Sequence, residues 1–311
     1  MDLGRRQKLL AESGVAENTR KTRRQQLKRY RKFCRSFKLK DFPCTASQAS
    51  LYATYLSDKL KPISIRNYLS AVWYFQKFKG HPDFSSDFML KLTLDGIERA
   101  ANATVTVRYP LSPEDMHSIY SHLDMNVNVD RIFWCSIVVA FRGILRCCHV
   151  TNSIHSLKIK DVSITKDFVK IHIRTSKTDQ FGRKPYDVFL QRFDGSPLCP
   201  ALILLDLITV SGANPNSRVF SRRGHTQEYS YVNSRLKALA ALVNLPLQRV
   251  STHSLRHGGA TFLKNLGMSV KDIMKRANWK SNAVYRYLHD SGEQLLSMDV
   301  LPSQFLSLTK N

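Results

Sequence analysis

Between positions 251 and 287 the chain gathers side chains that can hold and attack a phosphate. It reads Ser251-Thr252-His253-Ser254-Leu255-Arg256-His257, with Trp279 and Tyr287 further on. If one helix carries His253 and Arg256, their i, i+3 spacing puts an imidazole and a guanidinium side by side on one face, as a phosphate-binding pair. Tyr287 adds a phenol, whose ordinary pKa of about 10 makes it a poor nucleophile near neutral pH until its proton is removed or its anion is stabilised. Tyr285 lies two residues earlier, about 200° round a helix, so only one of the two tyrosines can face a bound phosphate.

The composition agrees with a polyanionic partner. Among 311 residues, 48 Lys and Arg stand against 24 Asp and Glu, a net charge of +24. That is far from the balance of an ordinary enzyme of small molecules. Membrane surfaces also attract cations, but there is no apolar run of about 18 residues, and the start, Met1-Asp2-Leu3-Gly4-Arg5-Arg6, lacks the apolar core of a signal peptide. A nucleic acid is therefore expected, and no membrane. The 43% of apolar residues suffices for a core. Six cysteines include no CxxC and no zinc-finger histidine pair, so they are read as reduced structural thiols in an intracellular protein, with no metal site.

The elements that must position these residues follow from periodicity. Between Arg20 and Lys40 a dense run of Lys and Arg carries Leu27, Tyr30, Phe33 and Phe37 at helical steps, which predicts an amphipathic helix with a cationic face. Arg23, Arg24, Lys28, Arg31 and Lys32 on it, with Arg66 on a later helix, are the candidate DNA contacts; a solvated face or a nuclear-import signal are the alternatives. Further helices are expected over 47–60, from Ser64 as N-cap through Phe75, and over 86–100. Four helices in about the first hundred residues make a small helical domain, 1–101. Residues 102–110 are extended and basic and read as a linker. Ser112-Pro113-Glu114-Asp115 then starts a new helix and a second domain, 111–311, with an apolar tail from about 291. An apolar helix is expected over 131–150, carrying Arg146 at its end. Val169, Ile171 and Ile173, then Tyr186, Val188 and Leu190, alternate as a hairpin with Lys177 at its tip. Helices resume at Cys199 and over 231–243. The fold class is mainly α with a small β-sheet (α+β).

Taken together, His253-Ser254-Leu255-Arg256-His257, the segment Trp279 to Tyr287, and the order Arg146, Lys177, His253, Arg256, Trp279, Tyr287 resemble the tyrosine recombinases, or phage-type integrases, over nearly the full chain. The segment after Trp279 is similar to that of eukaryotic mobile-element recombinases such as those of DIRS-like retrotransposons. The resemblance implies a helical core-binding domain and a catalytic domain that cleave and rejoin duplex DNA through a 3′-phosphotyrosyl intermediate. It implies no metal and no cofactor, a tetramer on two DNA sites with the tail from Leu295 handed to a neighbour, and, in a eukaryote, a nuclear location. Arg146 and Arg256 would neutralise the phosphoryl oxygens with bidentate geometry. By resemblance Lys177 is the general acid for the departing oxygen, Trp279 takes the place of a more usual histidine, and Tyr287, eight residues beyond it, is the nucleophile.

Two departures stand out. The family commonly has Arg-x-x-Glu after its first arginine, whereas Arg146-Cys147-Cys148-His149 puts a histidine at the acidic position, in a segment to Asp161 that is about one helical turn longer than usual. This favours an alternative, a catalytically inactive recombinase descendant that only binds DNA. A type IB topoisomerase would share the chemistry, but the N-terminal helical domain argues against it. Gly258-Gly259 lies inside the expected helix at a cost of about 1 kcal/mol per glycine relative to alanine, so a close backbone neighbour is expected there.

Overall fold

The computed structural model describes residues 2–101, 107–177, 179–193, 195–210, 214–222, 225–279, 284–285 and 288. The chain divides into two compact units, Met1–Val105 and Thr106–Asn311. No helix among the described residues is long and apolar enough to cross a membrane.

The first unit is helical: α1 Leu3–Ser13, α2 Glu17–Ser36, α3 Ala46–Ser57, α4 Pro62–Phe78 and α5 Phe88–Ala100. Its core is the apolar stripe expected of α2, with Leu27, Tyr30 and Phe33 buried against Tyr52 and Leu56 of α3 and Ile65, Leu69 and Val72 of α4. Phe37 falls outside this core because α2 has ended at Ser36, leaving its ring exposed. Two glutamines fasten the connections between helices. Gln48 Nε2 donates to Tyr30 Oη at 2.6 Å and to the Lys40 carbonyl at 2.7 Å. Gln76 accepts from Cys44 N at 2.9 Å and donates to the Pro82 carbonyl at 2.8 Å. A buried amide satisfied at both ends specifies a loop position as well as packing does. α4 begins at Pro62 rather than being capped by Ser64: proline is preorganised for the first helical position, where its missing N–H costs nothing. α1, which sequence reading missed, buries none of its residues, so no apolar stripe announced it.

The second unit is built round α7, Asn128–Arg142, whose residues Ile132 to Phe141 are all buried. Before it, α6 covers Pro113–Tyr120, with the Ser112 and Asp115 capping box in place. A three-stranded antiparallel sheet follows, β1 Val162–Ile164, β2 Phe168–Ile173 and β3 Tyr186–Gln191, with Ile171 opposite Val188 and Ile173 opposite Tyr186. Val169, Ile171, Ile173, Val188 and Leu190 turn inward to the α7 core, as their alternation requires. Then come α8 Pro200–Val210, a two-residue ribbon of β4 Ser221–Arg222 and β5 His225–Thr226, α9 Tyr229–Leu242, α10 Thr252–Asn265 and α11 Val270–Arg276.

The expected helix over 131–150 is cut short. α7 ends at Arg142, Gly143 caps it, and Ile144 adopts φ +49°, a left-handed conformation costly for a β-branched residue. Arg146 is therefore extended, at φ −74° and ψ 144°, in the turn beyond the helix, followed by a short 3-10 turn at Cys147–His149. Gly258 and Gly259 are accounted for by backbone on both sides of α10. A methyl added at Gly258 would stand 1.9 Å from the Leu111 carbonyl oxygen, and one at Gly259 would stand 2.0 Å from that of Phe141.

Candidate active site

α10 starts after Ser251, whose N–H donates to Ser254 Oγ at 3.1 Å, while Thr252 N donates to Asn233 Oδ1 on α9 at 3.2 Å. This fixed first turn carries His253 at the surface and, three residues on, Arg256 in the interior, only 2% exposed. A buried guanidinium needs acceptors, and two helix ends supply them. Arg256 Nη1 donates to the Ile144 carbonyl just past α7, and Nη2 donates to the Ala277 carbonyl just past α11 at 2.9 Å. Carbonyls at a helix C-terminus carry partial negative charge and suit a cation. Both lie where the chain turns through left-handed residues, Ile144 and Asn278. The Trp279 ring covers the guanidinium with its centroid 4.8 Å from Cζ, and packs with Ile144, Leu263, Ile273 and Val284 in a separate apolar cluster.

Arg146 is held differently. Its Nη1 is buried and has no hydrogen-bond partner among the described residues. Behind it His149, 1% exposed, stands at the position where the sequence lacks an acid. Its Nδ1 lies 3.2 Å from the His155 carbonyl; a carbonyl can only accept, so Nδ1 carries the proton and Nε2 is a lone pair. Burial first, and then the charges of His155, Arg146 and Arg256, hold this imidazole down at about 4, despite the bond to His155. His149 is thus neutral, and the acid position brings no negative charge to Arg146. The long segment after it is tied to the hairpin: His155 Nδ1 meets Thr175 Oγ1 at 2.8 Å, and Arg174 Nε donates to both oxygens of buried Asp161 at 2.8 and 3.0 Å.

Lys177 lies exposed in the turn between β2 and β3. Ser176 and Asp179 close that turn through backbone bonds of 2.9 and 3.0 Å, and the Asp179 carboxylate accepts from Arg183 N and Lys184 N at 3.0 and 2.7 Å. The four groups converge electrostatically. His253 is held below its ordinary value by partial burial and then by Arg108, Arg256, Lys177 and Arg146. Burial pushes the Cys148 thiol up against the pull of Arg146, Arg256 and Lys177. Burial likewise raises the Tyr186 phenol against Arg256 and Arg146. One region of the second unit thus receives two guanidiniums, a lysine and a neutral-leaning imidazole, an arrangement able to hold a phosphodiester and to accept a proton. Trp279 is brought to it through Arg256. Tyr287 lies outside the described residues; Tyr285 is 64% exposed.

Sequence reasoning missed Cys148, His155, Tyr186 and Arg108. The first two follow Arg146 closely and Tyr186 pairs with Ile173 at the turn end of the hairpin, but only the fold brings them to the cations. For Arg108 the basic character of the linker was a signal.

A family model described as the phage integrase family matches residues 111–294. The chain belongs to the phage integrase family. No curated protein matches it in sequence. Among solved structures, this phage integrase family member is similar to the Tn1549 transposon integrase in complex with circular intermediate DNA, at 17% identity and TM-score 0.63 over 94% of this chain and 96% of that one. It is similar to the XerH site-specific recombinase bound to palindromic difH substrate, at 17% identity and TM-score 0.60 over 82% and 69%. A lambda integrase dimer bound to a core site gives 18% identity and TM-score 0.59 over 93% and 95%. The fold is that of the tyrosine recombinases.

The candidate DNA contacts of the first unit divide into two groups. On α2, Arg24, Lys28 and Lys32 are exposed, and Arg23 stacks over Tyr74 at 4.1 Å. Arg31 instead bonds Asp41 at 2.9 Å, and Arg66 on α4 bonds Glu98 at 2.8 Å and Asp95 at 3.4 Å.

Proposed function

We propose that the protein is a site-specific DNA recombinase that cleaves and rejoins strands by transesterification. The observation that carries this reading is the convergence of Arg146, Arg256 and Lys177 on His253, with a buried Arg146 nitrogen that has no partner among the described residues. Arg146 and Arg256 hold the non-bridging oxygens of the scissile phosphate. The Tyr287 oxygen attacks phosphorus and its proton passes to His253. The bond from phosphorus to the 5′-oxygen breaks, and that oxygen takes a proton from Lys177. The products are a 3′-phosphotyrosyl enzyme and a free 5′-hydroxyl, and rejoining runs the same steps backwards. Cations around the phosphate favour the charged transition state and the phenolate alike.

The wider reading is of the same kind. The unit at work is a tetramer on two duplexes, joined by the tail from Leu295, in a recombinase of the DIRS-like mobile-element type acting in a nucleus. The DNA-bound state of the similar structures supports duplex DNA as the partner.

A nicked suicide substrate, from which the cleaved end diffuses away, tests the chemistry on denaturing gels. Covalent DNA on the wild type that vanishes in Tyr287→Phe, while binding persists, is the expected result. Trapping retained in Tyr287→Phe and lost in Tyr285→Phe would move the nucleophile. A wild type that binds DNA and traps none would favour the second reading, a binding protein that His149 has uncoupled from catalysis.

A further inference from the structure

Residues 107–111 form an extended strap along the start of α10. Arg249 Nε donates to the Val107 carbonyl at 2.9 Å. Tyr109 N donates to the Arg249 carbonyl at 3.0 Å, and Leu111 N to that of Ser254 at 3.3 Å. Leu111 is fully buried, and its carbonyl fills the space that Gly258 leaves open. The strap is thus bonded on both sides of Arg108, and its contacts at 249 and 254 bracket His253. Arg108 itself is exposed and enters no ion pair among the described residues.

A segment needed only as a tether has no reason to spend three backbone-directed hydrogen bonds and a buried leucine here. What the strap does is fix the backbone of exposed Arg108 alongside the first turn of α10. Among the charges acting on the His253 imidazole, that of Arg108 comes first, ahead of Arg256 on the same helix, Lys177 on the hairpin and Arg146 beyond α7; only partial burial outweighs it.

We propose that Arg108 is a fourth cationic side chain of the phosphate site, a substrate-contacting residue that the strap holds beside His253 to bind the DNA backbone there. The inference rests on the reading of the site as one for DNA phosphate. It gives the basic linker a role in the site. A fixed guanidinium loses little freedom on binding a phosphate, and it disfavours a second positive charge on the neighbouring imidazole.

The test uses the full chain as wild type, Arg108→Ala and Arg108→Lys. Arg108→Ala is expected to lower the slope of log affinity against log salt by about one unit on duplex DNA. In the DNA-free protein it should raise the His253 pKa, followed by NMR of the imidazole, because a positive neighbour is lost. Arg108→Lys should restore both. With a nicked substrate at saturation, covalent trapping by Arg108→Ala should fall about 10- to 100-fold, with the acid limb of its pH profile moved to higher pH. An unchanged salt slope or an unmoved His253 titration would overturn the assignment of Arg108. If the wild type traps no DNA, the recombinase reading fails, while the salt slope and the His253 titration still decide for or against Arg108.

Discussion

Arg256 and Arg146 are assigned the same task by the order of residues in the chain, and the protein holds them in opposite ways. Arg256 sits on a helix, its guanidinium bonded to the ends of two others and roofed by Trp279. Arg146 sits in a turn after a strained residue, with a buried nitrogen that no described residue satisfies and a neutral histidine where an acid would pair with it. The first is part of the fold's own hydrogen bonding and stands ready without substrate. The second is a cost to the folded state that a phosphate oxygen would relieve. On the proposed reading, stability and function are therefore merged at Arg256 and separated at Arg146.

The largest way to break this comparison is through the packing that sets Arg256. Gly258→Ala or Gly259→Ala must push a main-chain carbonyl out of a 1.9 or 2.0 Å approach. Each should cost about 3 kcal/mol or more, read by urea unfolding, because backbone yields less than a side chain. A loss near the glycine-to-alanine helix preference alone would mean that the helices sit further apart than described.

Next comes Arg256→Gln. Losing two bonds from a charged donor to carbonyls should destabilise the protein by about 2–4 kcal/mol as well as remove trapping. A stable but inactive variant would show that the carbonyl grip is dispensable.

The third effect sharpens the Arg146 side through pH. His149 stays neutral when folded down to about 4, while in the unfolded chain it protonates near its ordinary value. The unfolded state thus binds more protons between about pH 6.5 and 4, so stability should fall as pH drops through that window, by a few kcal/mol at most, and be fully present above it. His149→Gln should flatten that fall. An unaltered acid dependence in the variant would assign it elsewhere, for instance to His155.

The smallest effect belongs to the first unit. Neutralising Arg24, Lys28 and Lys32 should reduce the salt slope by about 0.9 per lost phosphate contact. Neutralising Arg31 and Arg66, already bonded to carboxylates, should change it less. Equal effects would mean that DNA displaces those carboxylates.

What could be read from sequence follows how local each cause is. The i, i+3 pair His253 and Arg256, the helix start at Ser112-Pro113 and the β2–β3 hairpin depend on neighbours within a few residues, and all are present. The end of α7 was misplaced because Ile144 and Leu145 continue its apolar run, yet they are buried by tertiary packing, Ile144 beside Trp279 and Leu145 with the α7 core. β1 is three residues long and exists through its pairing with β2. The glycine pair was legible as a close approach but not its partners, Leu111 and Phe141, which lie more than a hundred residues away. The strap that carries Arg108 lies along α10 only through bonds across that same separation.

The most direct test of the account is Arg146→Gln, measured for both unfolding and covalent trapping on a nicked substrate at saturation. With Arg146 serving substrate and not fold, its midpoint in urea should match or exceed that of the wild type while the trapping rate falls by about 100-fold or more. A rate close to wild type, or a loss of stability as large as that of Arg256→Gln, would contradict it.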